Sequence, residues 1–373
     1  MMVECHTVLP PGADAQDMPP AMRPDSALLK VGQLAPGGAA RWDAFVMRCP
    51  NATFFHRAGW QHVIEQAFGH QTWFLYAEMD QRIVAVLPLA LIDSRLFGRS
   101  LSSLPFCVYG GIAGTDPQAC AALDQAAQAL AGRLGVGHLE YRNRDAAGPY
   151  HDPAGWLQKP LYATFRKAIH LDAAQNMLEI PRKQRAMVRK GIAAGLHSAI
   201  DYDVQRFYPV YANNLHRLGT PVFGRRYFDL LLREFGRDCD IISVYREQEV
   251  LSSVLVFYFR NEVLPYYGAG SASARDVAGN DFMYWEVMRR AGERACTLFD
   301  FGRSKLGTGA YDFKKNWGFP AHVLPYQYKL YRAKTLPEVH PLNPRYRHFI
   351  RAWRQLPLPL ANALGPLIVR NLG

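Results

Sequence analysis

Long apolar runs are missing from this chain. No stretch approaches the ~18 uninterrupted apolar residues that a bilayer-spanning helix needs, so no segment is expected to cross a membrane. Paired cysteines are missing too: Cys5, Cys49, Cys107, Cys120, Cys239 and Cys296 are scattered with no C-x-x-C. That spacing suggests neither a zinc site nor a disulfide framework, so buried thiols in a reducing compartment are expected. The twelve histidines show no H-E-x-x-H or other ligand spacing, and no metal is expected. There is no Walker A sequence and no G-x-S-x-G elbow, which removes the P-loop and nucleophile-elbow readings. The first 25 residues hold five prolines and several charges but no apolar core of signal-peptide type. The expectation is a cytoplasmic protein, at most peripheral on the inner membrane.

Negative charge is also scarce. Lys and Arg number 43 against 32 Asp and Glu, a formal charge of +11. Such a balance favours an anionic partner, whether a nucleotide, a tRNA, a polyprenyl-phosphate lipid or an anionic membrane face. Hydrophobic residues at 49% and aromatics at 12% suffice for packed cores.

Periodicity suggests a duplication. Trp42, Phe45 and Val46, then Trp60, Val63, Ile64 and Phe68, fall at helical spacing. A hairpin is expected over 72–79 and 82–92 around Asp80-Gln81, then a strand over 107–112, a helix over 117–134 and a strand over 137–141. The order returns with a helix over 182–196, a strand over 198–202 and helices over 205–218 and 226–235. There follow a hairpin over 240–246 and 250–260, a strand over 263–268, a helix over 280–295 capped by Asn280 or Asp281, and a strand over 297–301. The reading is a duplicated mixed α/β domain joined near 145–164.

Two segments carry candidate chemistry. On a helix, Arg182, Arg185 and Arg189 share one stripe, with Lys183 and Lys190 further round. Val188, Ile192 and Leu196 form an adjacent apolar stripe that would dock the helix. No acid occurs from Ile180 to Ile200, so this face either meets an external anion or is a solvated face with distant acids opposite. Further on, Asp300-Phe301-Gly302-Arg303-Ser304-Lys305 leads into Gly307-Thr308-Gly309 and then Phe313-Lys314-Lys315. A strand running into a glycine-rich loop and a short helix is a common place for a site, although glycines there can serve turn geometry alone. Tyr109, Tyr141, Tyr266, Tyr267 and Tyr326 stand near strand ends, where they fit either a cleft or a core.

The stretch from Pro181 through Phe319 resembles the second half of the Fem-type transferases, a group that includes peptidoglycan bridge-forming aminoacyltransferases. The matching pieces are Arg189-Lys190-Gly191-Ile192, Tyr266-Tyr267-Gly268-Ala269-Gly270, Asn280-Asp281-Phe282-Met283-Tyr284-Trp285-Glu286, Asp300-Phe301-Gly302 and Phe313-Lys314 followed by Trp317-Gly318-Phe319. Trp60 and Tyr109-Gly110-Gly111 match more faintly, and the similarity extends to members associated with exosortase/PEP-CTERM exopolysaccharide systems. The resemblance implies an α/β (α+β) fold of tandem GNAT-like mixed-sheet domains with a central cleft and a basic C-terminal helical tail. The divisions expected are a disordered leader over 1–35, a first domain over 36–160, a second over 161–335 and the tail over 336–373.

The resemblance further implies an acyltransferase, forming an amide or ester on a cell-envelope or exopolysaccharide precursor. No resident cofactor is expected; the acyl donor, either aminoacyl-tRNA or acyl-CoA, is a co-substrate. Lys314 matches the family's F-K lysine and is the candidate for stabilising the oxyanion. Arg182, Lys183, Arg185, Arg189, Lys190, Arg303 and Lys305 are candidates for substrate phosphates, and Tyr109, Tyr267, Asp300, Phe313 and Trp317 for the cleft lining. The acceptor would be a small molecule or a lipid-linked glycan. Departures are Trp317, the missing coiled-coil arm that weakens the case for tRNA, and Arg275-Asp276-Val277-Ala278-Gly279-Asn280, which lacks the acyl-CoA glycine spacing. The alternatives are a degenerate GNAT-fold module that binds a nucleotide-sugar or lipid-linked glycan, and an acyl-CoA-dependent N-acetyltransferase. In the tail, Arg345, Arg347, Arg351 and Arg354 before Leu356-Pro357-Leu358-Pro359-Leu360 either seat the protein on an anionic membrane or pack on the second domain.

Overall fold

Local chemistry sets the first elements. Asp80 and Gln81 both take left-handed φ, 48° and 60°, and close a tight hairpin between β2 (Thr72–Met79) and β3 (Arg82–Ser94). The Asp116 side chain accepts from Ala119 N–H and Pro117 fills the first turn, so α3 (Pro117–Leu134) starts there, and Gly135 in the left-handed region ends it. A computed structural model describes residues 29–95, 97–145, 155–336 and 347–372 of the chain.

The first half also contains β1 (Lys30–Gln33), α1 (Ala39–Arg48), α2 (Gly59–Phe68), β4 (Gly98–Ser102), β5 (Ala113–Gly114), β6 (His138–Tyr141) and β7 (Leu157–Gln158). The second half runs β8 (Tyr162–Ala168), α4 (Ala173–Glu179), α5 (Arg182–Ala193), β9 (His197–Asp201), α6 (Phe207–Leu218), α7 (Arg225–Phe235), β10 (Cys239–Arg246), β11 (Glu249–Phe259) and β12 (Glu262–Gly270). It continues through α8 (Gly279–Glu293), β13 (Leu298–Asp300), β14 (Ser304–Lys305), α9 (Gly309–Asn316), β15 (Ala321–Val323) and β16 (Gln327–Leu330). The tail is α10 (Arg347–Gln355) and α11 (Leu358–Val369).

Two mixed sheets result, in the orders β1-β2-β3-β4-β6-β16-β7 and β14-β8-β13-β12-β11-β10-β9. Each has a parallel pair at its middle, β4 with β6 and β12 with β13, among otherwise antiparallel neighbours. Alternation along β11 divides the second sheet's faces. Leu255, Phe257 and Phe259 enter a core shared with the first half, while Val254, Val256 and Tyr258 face the layer built by α8 and α5. In the shared core Phe54 stacks on Phe257 with ring centroids 4.3 Å apart, and Trp60 lies 5.2 Å from Phe235. Burying each such aromatic contributes about 2–3 kcal/mol. The two halves are therefore held as one body.

The structure differs from the expected element plan in five places. Lys30–Gln33, inside the stretch expected as leader, is an edge strand paired with β2; residues 1–28 lie outside the described residues. Residues 107–112 form no strand, because left-handed φ at Leu104 and Phe106 turns the chain inward. The carbonyl of Cys107 then accepts from Arg142, and Gly110 N–H donates to Arg142 O. Neither Asn280 nor Asp281 caps α8, whose cap is Ala278 at φ 56° with no side-chain bond. Of the expected docking stripe, Val188 and Leu196 are buried but Ile192 is 50% exposed, and Gln184 and Gly191 complete the buried face of α5. Finally, β16 leaves the stretch expected for the second domain and joins β6 and β7 in the first sheet.

Close packing at Gly110 gives one expected result. A Cβ there would stand 2.3 Å from the Ser103 carbonyl oxygen, a backbone atom that cannot swing aside. Gly110→Ala is expected to destabilise by about 1–3 kcal/mol, read as a lower Tm; an unchanged Tm would contradict this packing.

Candidate active-site cleft

Strands β12 and β13 pair at only two positions, Glu262 with Leu298 and Val263 with Phe299. Beyond them β13 stops at Asp300 and the chain swings away through Gly302 at φ 63°, while β12 continues to Gly270. The strands splay, and a cavity of about 410 Å³ fills the gap. Pro265, Tyr266, Tyr267 and Gly268 line one side, and Phe301, Gly302, Arg303 and Ser304 the other. Lys314 of α9, Tyr284 of α8, Phe106 of the first half and Leu372 of the tail close it. A β-bulge places Tyr266 between the pairs Leu255–Tyr267 and Val256–Pro265, and its hydroxyl donates to Phe106 O at 3.0 Å. Gly268 leaves room for Tyr284, whose hydroxyl would lie 2.9 Å from an added Cβ.

Lys314 reaches this cavity from the last turn of α9. Its Nζ donates to the carbonyls of Phe301 at 2.6 Å, Gly302 at 3.1 Å and Arg303 at 3.1 Å. Burial pushes the amine down to about 7, against the opposing pull of Asp300 and with help from Arg303. An ammonium has three hydrogens, and here each has a carbonyl. The free N–H expected for an oxyanion is thus already engaged; what Lys314 does in this state is hold the loop that forms one wall, with its charge beside the cavity.

Arg303 stands between this cavity and a smaller one of about 100 Å³ lined by Ser100, His138, Glu140, Arg142 and Lys159 among others. Its guanidinium lies 4.6 Å over the Tyr162 ring and donates to the Tyr326 hydroxyl at 3.4 Å. No carboxylate among the described residues pairs with it. Arg142 nearby is locked to Glu140 at 3.1 Å. The Lys305 Nζ is enclosed without a hydrogen-bond partner among the described residues, and burial, with Lys159 adding to it, lowers its pKa. An anion entering here meets Arg303 with donors to spare.

Behind the cavity wall the two halves are joined by polar contacts. Tyr109 O–H donates to Asp300 Oδ2 at 3.0 Å and meets the Thr164 hydroxyl at 2.5 Å. Arg166 lies 3.1 Å from Asp300 and 2.6 Å from Glu262, and Gly302 N–H donates to Asp300 Oδ1 at 2.7 Å. Burial and the charge of Asp300 raise the Tyr109 phenol well above its usual range, so it stays protonated. Asp300 is fully buried, and through Gly302 it fixes the turn that opens the gap.

The sequence candidates therefore separate. Tyr267, Arg303 and Lys314 line the cavity. Tyr109 and Asp300, expected at its surface, are buried behind it because each satisfies the other's polar atoms. Phe313 and Trp317 also stand off the lining; both pack toward Tyr284, and the Trp317 indole donates to Asp281 at 3.1 Å. Arg182, Lys183, Arg189 and Lys190 are exposed on α5 and line none of this cavity, while Arg185 donates to Leu178 O at 2.9 Å. Tyr284 was contained in a matched motif without being singled out. Phe106 and Leu372 carry no sequence signal, since only tertiary packing brings them here. Among the described residues no three His, Cys, Asp or Glu side chains cluster as a metal site would need.

Two mixed sheets, each with a central parallel pair, joined across a cleft, define a tandem GNAT fold. A family model described as an acetyltransferase (GNAT) domain matches residues 180–315. Among solved structures, FemX is similar with a TM-score of 0.64 at 15% identity, covering 81% of this chain and 98% of that one. A tandem GNAT protein from the clavulanic acid biosynthesis pathway gives a TM-score of 0.53 at 14% identity, over 81% and 98%. A conserved protein of unknown function from Bacteroides thetaiotaomicron gives 0.53 at 10% identity, over 81% and 99%. No curated protein matches by sequence.

Proposed function

We propose that the protein is an acyltransferase whose reaction takes place in the gap between β12 and β13. The observation that carries this reading is the splayed parallel pair with a 410 Å³ cavity in the opening and Arg303 and Lys314 on its wall. Beyond Val263 the edge of β12 that faces β13 has no ladder partner, so backbone groups are available to an acyl carbonyl. An amine attacks the acyl carbon of an activated ester or thioester. The C–N bond forms, the C–O or C–S bond breaks, and the amine's proton ends on the departing oxygen or sulfur. Holding both reactants in one cleft supplies most of what such a step needs.

Arg303 would hold a phosphate or carboxylate of the donor or acceptor, with Lys305 close by in sequence and lacking a partner of its own. The donor would be an aminoacyl-tRNA or an acyl-CoA. The acceptor would be an amine on a small or lipid-linked glycan of the envelope or an exopolysaccharide, a reading supported by the Fem-type motifs. The exposed cations of α5 would contact a long anionic substrate outside the cavity, if one binds.

The test is native mass spectrometry of the full chain with aminoacyl-tRNA, acyl-CoAs and UDP-sugars offered separately, repeated with Arg303→Ala. Retention of one acyl-donor class, weakened about tenfold or more in the variant, is the expected result. Retention of UDP-sugars alone would replace the transferase by a glycan-binding module.

A further inference from the structure

Helix α11 breaks the usual rule for a surface helix, which keeps a polar outer face. From Leu356 to Val369 there is no charged residue, and the only polar side chain is Asn362. Ala361, Gly365 and Val369 face the protein. A Cβ on Gly365 would lie 2.9 Å from both Val222 N and Val222 O, so the helix is seated hard against backbone. Its end is clamped as well: Arg370 donates to Phe68 O at 2.6 Å, and the His70 Nε2 lies 2.8 Å from Arg370 O. The opposite face carries Leu360, Leu364 and Leu367, which are 45%, 37% and 61% exposed. The i, i+4, i+7 spacing makes these one stripe, and the packing fixes that stripe outward.

Cations frame the stripe. Arg351 and Arg354 are exposed on α10, ahead of it in the chain, and Arg354 donates to the carbonyl of Leu218, itself 54% exposed. Beyond the stripe, Leu367 and Arg370 share a groove of about 860 Å³ with Arg95 and Arg99. The acid in that groove, Asp93, is paired with Arg99 at 3.1 Å. No Asp or Glu occurs from 347 to 372. Among the described residues no helix is long and apolar enough to cross a membrane, and α11 has only 12 residues.

We infer that α11 is the docking surface by which this protein lies on an anionic lipid bilayer, its three leucines entering the headgroup boundary and the flanking arginines meeting lipid phosphates. A second copy would set arginine against arginine across the stripe, whereas a continuous anionic surface meets the cations at both of its ends. The surface is distinct from the cleft, although Val369 at the end of the same helix, and Leu372 just beyond it, stand on the cavity wall. The inference does not depend on the transferase reading.

Full-length protein mixed with sedimenting vesicles tests it, using phosphatidylcholine alone and equal parts phosphatidylcholine and phosphatidylglycerol. Binding to the anionic vesicles only, released by high salt, is the expected result. Leu364→Glu with Leu367→Glu is expected to weaken that binding by roughly tenfold or more, with the circular dichroism spectrum and Tm unchanged. Leu367→Gln provides a milder version if the double variant folds poorly. Failure to bind either vesicle, binding unaffected by the glutamates, or a dimer in solution that the glutamates dissociate would each overturn the inference.

Discussion

Lys314→Met is expected to lower acyl transfer by about 10²-fold, the effect of a misplaced cavity wall, and to remove a limb of the pH–rate profile near neutrality. Methionine keeps most of the stem but leaves the carbonyls of Phe301, Gly302 and Arg303 without their donor, so the wall of the cavity loosens just where Arg303 is held. The charge beside the cavity disappears with it. Because burial brings the amine down to about 7, its protonation changes within the working pH range. The same shift has a signature in stability. Between pH 7 and the ordinary lysine range, the unfolded chain binds a proton at Lys314 that the folded chain does not. Stability from this group therefore rises with pH across that window and is lowest below pH 7. Urea melts at pH 7 and pH 9 should show a slope in the wild type that Lys314→Met lacks. Parallel curves, or a variant with full activity, would remove Lys314 from this role.

Asp300→Ala is expected to be the most destabilising single change, costing about 3–5 kcal/mol. The carboxylate is fully buried, accepts from Tyr109 and Gly302 N–H, and lies 3.1 Å from Arg166. Removing it leaves the Gly302 N–H and part of the Arg166 guanidinium enclosed without an acceptor, and leaves Tyr109 and Thr164 only each other's hydroxyls to bond. Tyr109→Phe deletes one neutral donor instead and is expected to cost about 1 kcal/mol. Chemical denaturation of both variants checks the contrast. A cost for Asp300→Ala no larger than that for Tyr109→Phe would mean that the network carries little of the link between the halves. Arg166 keeps Glu262 as a partner in either case, which is why complete unfolding is not expected.

The legible parts of this protein were those written in short-range pattern. The hairpin at Asp80-Gln81 and the helix after Asp116 each follow from turn or cap chemistry within a few residues. Arg303, Lys314 and Tyr267, the candidates that line the cavity, all sit in compact motifs. The strand expected over 107–112 misled because an apolar run looks alike in a strand and in a buried loop. Left-handed φ at Leu104 and Phe106, together with Arg142 from another element, decided between them. Tyr109 and Asp300 were singled out as residues of one cleft, but whether a polar side chain faces a cavity or backs it depends on partners as far away as 191 residues.

By itself, then, the sequence determined the repeated order of elements and the basic balance, because period and composition are local properties. Tertiary structure alone decided three further matters. The first sheet takes in β16, from the far end of the second half, between β6 and β7, since an unpaired strand accepts any partner of fitting register. The gap between β12 and β13 opens because a buried carboxylate and a left-handed glycine end one strand early. The tail lies across both halves, with one face seated and one left bare, because Gly365 lets it approach the backbone at Val222. Each of these depends on contacts between residues far apart in the chain, which no local period records.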